Sequence, residues 1–258
     1  LGISALGGCD DAAVGTGGSG GSPATTGVGA SGPGATGSSV TSSGAGGAPT
    51  FMGSTRVDAG SGAAVAGSAT AAVAPNGDIY VSWVEEGGAS RDLFVARSTD
   101  GGKSFGPAVK IDDDTIVPLV AMARRPYVAA DGARVAVVFN DQAGGVYLYS
   151  SDAAASSFGQ PTMIGTDITT TFRDFPKAVF LPDGSLGVAY HGYPSSGARI
   201  FFSRESTGFV SEDASGGAPG LPCECCPLDV HATSSGDLVL AFRNNDTNTR
   251  EMWFADAP

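Results

Sequence analysis

Four short turns recur along this chain at a nearly constant interval, and that interval limits the folds open to it more than any other feature. They are Pro75-Asn76-Gly77-Asp78, Ala130-Asp131-Gly132-Ala133, Pro182-Asp183-Gly184-Ser185 and Ser234-Ser235-Gly236-Asp237, with glycines 55, 52 and 52 residues apart. Each turn opens an alternating apolar run that ends on an aromatic. Trp83, Phe139, Tyr190 and Phe242 stand 6, 7, 6 and 6 residues past the glycine. A second strand-like run follows in every unit, at 92–97, 146–150, 199–203 and from 251 onward. A glycine free to take positive φ, followed by period-two alternation, signals a hairpin. A unit of about 50 residues cannot bury its apolar face alone, so successive units must stack, with the aromatics in the core between them.

Short strands at even spacing, with a glycine and an aromatic in each unit, predict an all-β chain of four-stranded propeller blades. The blades are expected at approximately 67–113, 114–166, 167–218 and 219–258. The folded part, 67–258, holds roughly 3.7 periods. The fourth blade is therefore expected to be incomplete, with about four blades present. A four-bladed ring closed by a strand from 51–58 is the alternative.

Residues 10–66 are mostly Gly, Ala, Ser and Thr, with very few charged or aromatic side chains. Such a composition cannot bury enough apolar surface to offset ordering entropy, so it predicts a disordered tether. A coil of ~55 residues at about 5–6 Å times √n would span roughly 40 Å. Before it, residues 1–9 read as the end of a signal, and Leu6-Gly7-Gly8-Cys9 resembles a bacterial lipobox. That resemblance implies lipidation at Cys9 and an extracytoplasmic lipoprotein, at the cell surface or in the periplasm, touching the membrane only through its anchor. The chain carries 14 Lys+Arg against 26 Asp+Glu, a net charge of −12, with no basic run. This balance argues against a nucleic-acid partner.

The stretch Ser98-Thr99-Asp100-Gly101-Gly102-Lys103-Ser104-Phe105 is a turn with a rule behind it. Ser98, Asp100, Gly102, Ser104 and Phe105 place a carboxylate to accept turn amides and a glycine where φ turns positive. These positions resemble the Asp-box, or BNR repeat, of sialidase-like β-propellers, and that resemblance implies a ring of six blades, of which about four are present here. The second unit keeps Ser150 and Asp152 and reaches Phe158 through an insertion, while the third keeps Ser203 and places Glu205 where Asp would stand.

Antiparallel order decides which loops share a face. With strands A to D running from the axis outward, the A-to-B turns and the Asp-box lie on one face, and the starts of A and the B-to-C loops lie on the other. The second face collects the polar residues. Arg124-Arg125-Pro126, Arg173-Asp174-Phe175-Pro176 and Cys223-Glu224-Cys225-Cys226-Pro227 precede A strands. Glu85, Glu86 and Arg91, Asn140 and Asp141, His191 and Tyr193, and Arg243, Asn244, Asn245 and Arg250 fall in B-to-C loops. Arg124, Arg173, His191, Arg243, Asn244 and Arg250 are the expected ligand-binding face. Arg124-Arg125-Pro126 also resembles the R-x-P element that opens a catalytic sialidase blade. That resemblance implies a carboxylate-binding role for Arg124, since guanidinium geometry suits bidentate pairing. The same resemblance implies a tyrosine nucleophile activated by a glutamate, and Tyr193 is the candidate on this face, without an assigned glutamate partner. Asp112 to Asp114 offer carboxylates with no spacing that singles one out.

Three cysteines in four residues cannot all pair with one another. Cys223 to Cys226, or Cys225 to Cys226, could be oxidised in an exported protein, with the third bonded elsewhere. A thiolate metal site on Cys223, Cys225 and Cys226, with His231, is the competing reading. The stretch Cys223 to Met252 also resembles a subgroup of secreted bacterial sialidase-like proteins. The expected function is recognition of a glycan or extracellular protein without catalysis and without a cofactor. A retaining exo-α-sialidase and a metal or redox protein are the alternatives.

Overall fold

The structure is a computed structural model. It describes residues 54–57, 59, 64–65, 69–87, 90–121, 124–170 and 172–257. Cys9 and most of the stretch read as a tether lie outside these residues.

Among the described residues, seventeen strands form four antiparallel sheets, each drawn from one repeat, and one 3-10 turn spans Glu205–Thr207. The first sheet holds β1 (Ala64–Val65), β2 (Thr70–Val73), β3 (Ile79–Gly87), β4 (Ser90–Ser98) and β5 (Val109–Lys110). The second runs β6 (Tyr127–Ala130), β7 (Arg134–Asn140), β8 (Val146–Asp152) and β9 (Thr162–Ile164). The third runs β10 (Arg173–Phe180), β11 (Leu186–Gly192), β12 (Arg199–Arg204) and β13 (Ser211–Asp213). The fourth holds β14 (Leu221–Pro222), β15 (Asp229–Ala232), β16 (Leu238–Asp246) and β17 (Thr249–Ala257). These sheets are blades of a β-propeller. The repeated glycines Gly77, Gly132, Gly184 and Gly236 all have positive φ at the A-to-B turns, between 80° and 102°.

Alternation along each strand sends one set of side chains to the preceding blade and the other to the following one. Phe139 and Tyr149 face Tyr80, Val84 and Leu93 between blades 1 and 2. Tyr190 and Phe201 face Val138 and Leu148 between blades 2 and 3, and Phe242 faces Ala189 and Ile200 between blades 3 and 4. The fourth repeat aromatic, Trp83, points the opposite way from Val84. It stacks on Phe94 with ring centroids 5.8 Å apart, and Val57 and Ala59 pack over the pair. Glu85 holds this corner, accepting from Trp83 Nε1 at 3.0 Å and from the Ala59 amide at 2.8 Å. These contacts, like β1, use residues within the stretch read as a tether.

On the A-to-B face the turn at Ser98 is closed from within. Asp100 accepts from the Ser104 amide at 3.0 Å and its hydroxyl at 2.6 Å, while Ser98 Oγ donates to Asp100 at 2.8 Å and accepts from the Gly102 amide at 2.9 Å. These bonds, the Ser104 hydroxyl foremost, hold the Asp100 carboxyl well below its ordinary pKa. In the third blade Glu205 does different work. Both of its oxygens accept from Arg134 of the second blade, at 3.0 and 2.9 Å, and it also accepts from the Leu186 amide at 2.9 Å.

The buried aromatic layer and this half-exposed ion pair should differ sharply in weight. Phe139→Ala is expected to cost about 3–5 kcal/mol through lost burial and an unfilled cavity. Arg134→Ala should cost about 1 kcal/mol or less, because solvent screens the pair. Urea denaturation of the two variants checks the order, and equal losses would contradict the packing scheme.

Candidate functional site

The inner strand of each blade pairs with its B strand in two places. The end of B takes β1 in blade 1, Pro118 in blade 2, Arg173 and Asp174 in blade 3 and β14 in blade 4, facing Glu85–Glu86, Asp141, His191–Gly192 and Asn244–Asn245. The rest of B takes β2, β6, residues 177–180 and β15. In blades 2 to 4 the chain leaves the ladder between these two pairings. The excursions carry Arg124 and Arg125, then Phe175 and Pro176, then the run from Cys223 to Leu228. Sequence spacing put these residues at the starts of A strands; they lie within a divided inner strand, on the face opposite the Ser98 turn.

Arg124 and Asp174 form the centre. Arg124 Nε lies 2.9 and 2.7 Å from the two Asp174 oxygens, and its Nη2 lies 2.5 Å from Oδ2. The Asp174 side chain has no solvent exposure, whereas that of Arg124 keeps 27%. The guanidinium also lies over the rings of Phe175 and Phe172, 5.2 and 5.9 Å from their centroids. Burial pushes the Asp174 carboxyl above its ordinary pKa, and the bonds from Arg124 pull the other way. Phe175 sits at the bulge with φ 47°, a left-handed conformation that costs an aromatic residue strain. Its amide donates to Asp174 Oδ1 at 2.8 Å, which helps to hold it there.

Behind this pair lies an aromatic wall. His191 is fully buried and meets Phe175 edge-on at 5.4 Å, with Tyr193 at 6.4 Å. Neither ring nitrogen has a hydrogen-bond partner. Burial alone drives its pKa down to about 3, so it stays neutral across the working pH range. Tyr193 donates its phenol to the Glu224 carbonyl at 3.1 Å. Its pKa is raised, by burial first and then by Asp174 and Glu224.

Nearer the axis, equivalent positions on three inner strands carry Tyr127, Lys177 and Asp229. Lys177 Nζ stands 3.9 Å above the Tyr127 ring and 3.9 Å from Asp229. Burial lowers the pKa of Lys177, with Arg125 adding to the effect and Asp229 opposing it. Arg125, Tyr127, Phe175, Pro176, Lys177 and Pro227 line a shallow depression there. Sequence reasoning missed Lys177 and Tyr127 because both look like ordinary strand residues. Their matching register, one blade apart, was the available signal.

The remaining expected residues are dispersed. Arg173 is buried and donates to the Gly165 and Ile168 carbonyls, which fixes the loop before β10. Asn244 is buried and donates to the Pro219 carbonyl. Arg243 reaches Cys226 Sγ at 3.2 Å, and Arg250 lies exposed on β17 opposite Asn245. Asp112 accepts from the Leu93 amide at 2.7 Å, while Lys110 pairs with Asp92 at 2.8 Å and with Asp114. Among the described residues the groups that could hold a metal are Asp92, Asp112 and Asp114, where Lys110 already supplies the cation, and Cys223, Cys225 and Cys226.

No family model and no curated protein matches the chain. Solved structures do. The α-L-arabinanase of Penicillium chrysogenum complexed with arabinobiose has a TM-score of 0.50 at 12% identity, over 74% of this chain and 64% of that one. A PL25 ulvan lyase bound to -[GlcA(1-4)Rha3S]- has a TM-score of 0.50 at 13% identity, over 72% and 52%. A Trypanosoma rangeli sialidase complexed with 2,3-difluorosialic acid has a TM-score of 0.48 at 14% identity, over 72% and 35%. The first two likenesses bear out the propeller fold. The chain thus spans less than two thirds of the length of each.

Arg124→Met should leave Asp174 buried without its counter-charge, costing about 3–5 kcal/mol at pH 7. The orphaned carboxyl then has a folded pKa well above its unfolded one. Its favourable contribution is present below the unfolded pKa and is lost as pH rises through the folded pKa. The deficit relative to wild type should therefore shrink between pH 7 and pH 5, and Asp174→Leu added to Arg124→Met should recover most of it. Urea denaturation at the two pH values checks this; a deficit that does not change with pH would show that Asp174 is not charged alone in the variant.

Proposed function

We propose that the face built by the divided inner strands recognises a glycan without cleaving it, on a chain displayed outside the cytoplasm through a lipid at Cys9. One observation carries the preference for binding over hydrolysis. The groups that a retaining sialidase would need are engaged in other bonds. Arg124 is held by Asp174 at three short distances, and Tyr193 donates to a backbone carbonyl with its phenol pKa raised. A nucleophilic tyrosine needs the opposite, a neighbouring base that draws the phenol toward phenolate. What stays accessible is the depression at the axis, with the exposed guanidinium of Arg125 beside the Tyr127 ring and the Lys177 amine.

Aromatic surface with a few placed polar groups suits a sugar ring, and a cationic rim favours one that carries a carboxylate. The solved structures of like fold are named for action on carbohydrate, which supports a glycan over a protein ligand. The membrane-anchored display rests on Leu6 to Cys9, and incorporation of labelled palmitate that Cys9→Ala abolishes would bear it out.

On an array that includes uronate- and sialate-bearing glycans, the chain should be retained, and Arg125→Ala should weaken retention about tenfold or more. It should release no 4-methylumbelliferone from the sialoside. Steady release that is lost in Tyr193→Phe would replace binding by hydrolysis, and silence of the folded protein across the array would remove the glycan ligand.

A further inference from the structure

The cysteine turn opens the blade-4 excursion of this face and has its own support. Arg243 on β16 holds both of its ends. Its backbone carbonyl accepts from the Cys223 amide at 2.7 Å, and its Nη1 donates to Cys226 Sγ at 3.2 Å. The Cys226 amide closes the turn by donating to the Cys223 carbonyl at 3.3 Å. Just upstream, β14 pairs Leu221 with Asn245 and Pro222 with Asn244, so the turn starts from a fixed strand. The two Sγ atoms are thereby brought to 3.2 Å. Both thiols are free, Cys223 buried and Cys226 partly exposed.

We propose that Cys223 and Cys226 are a dithiol that closes to a disulfide, making this turn a site of reversible oxidation. The separation of the sulfurs is already close to contact, and a disulfide at about 2.05 Å needs roughly 1 Å of further approach, within the reach of side-chain rotation. Cys226 is the attacking thiol, being the more exposed and the one beside a guanidinium. Its thiolate attacks one sulfur of a low-molecular-weight disulfide and expels the other as thiolate. Cys223, losing its proton to solvent, then attacks Cys226 Sγ and expels the second thiolate. The protein loses two electrons and two protons, and the oxidant is reduced to two thiols. Burial and the neighbouring thiol push the Cys226 pKa up against the pull of Arg243, so closure quickens as pH rises above neutrality. Glu224 lies inside the closed ring, and its carbonyl is the one that accepts from Tyr193. Oxidation therefore stiffens the support of the aromatic wall.

The test uses the whole chain with Cys225→Ser, because Cys225 is disulfide-bonded and its sulfur, 3.3 and 3.8 Å from the other two, could exchange with either thiol. The reduced protein is treated with oxidised glutathione, quenched with iodoacetamide and mapped by mass spectrometry. Cys223 and Cys226 should both escape alkylation, be joined to each other, and reopen with dithiothreitol. Adding Cys223→Ser should trap a glutathione adduct on Cys226 that the parent does not retain. The reduced parent should also bind phenylarsine oxide one to one, which either single serine variant abolishes. Full alkylation of both cysteines after oxidation, or a bond from either to a different cysteine, would overturn the proposal. Neither result bears on glycan retention, which is read separately.

Discussion

A sheet of four short strands has two faces, and among the described residues no α-helix covers either, so each blade depends on its neighbours for burial. Every other feature of this chain is subordinate to that. The constraint explains why each repeat aromatic points back toward the preceding sheet while the side chains beside it point forward. It also explains the treatment of Trp83, which has no earlier repeat behind it in the sequence given. Val57 and Ala59 take that place, and the Glu85 carboxylate anchors them through an amide and the indole. Blade 4 presents its forward face differently, with Met252 and Phe254 of β17 more than half exposed.

Stacking fixes the blades but leaves the axial end of each one free to vary. There the inner strand divides, and the interruption is where the chemistry collects. A bulge must place its unpaired backbone groups and its strain somewhere. In blade 3 both are met by Asp174, which accepts from the Phe175 amide and at the same time pairs with Arg124 from the neighbouring excursion. One carboxylate thus holds a strained residue in its own blade and a guanidinium from the preceding one. Its burial makes the pair costly to break from either side.

The repeat was legible because glycines in positive φ and alternating apolar runs are local signals that survive with little help from distant residues. The four turns, the four aromatics and the second strand of each unit all fall where period-two patterning puts them. The division of the inner strand was not legible. Its upper part is a one- or two-residue pairing that includes Pro118 or Pro222, too short to show any period and carrying a residue that argues against a strand. Phe175 gives no turn signal, so its left-handed conformation could be known only from the Asp174 and Arg124 contacts around it, fifty residues apart in sequence. The polar residues expected on this face were grouped by loop order alone, and burial sorts them in a way composition cannot. Arg173, His191 and Asn244 turn inward, and Arg124, Arg125 and Arg250 keep solvent contact.

Glu205 shows what happens when such a signature drifts. Read as a sequence, it is a worn copy of the aspartate that closes the turn in the first unit. Its longer side chain instead crosses to Arg134 in the adjacent blade, and it takes the Leu186 amide as well. Repeats that remain identical can be gained, lost or exchanged by unequal recombination without disturbing their neighbours. A contact made by one side chain from each of two particular blades lessens that freedom. Exchanging blade 2 or blade 3 for another copy would forfeit the Arg134–Glu205 pair, so the two are no longer strictly interchangeable units.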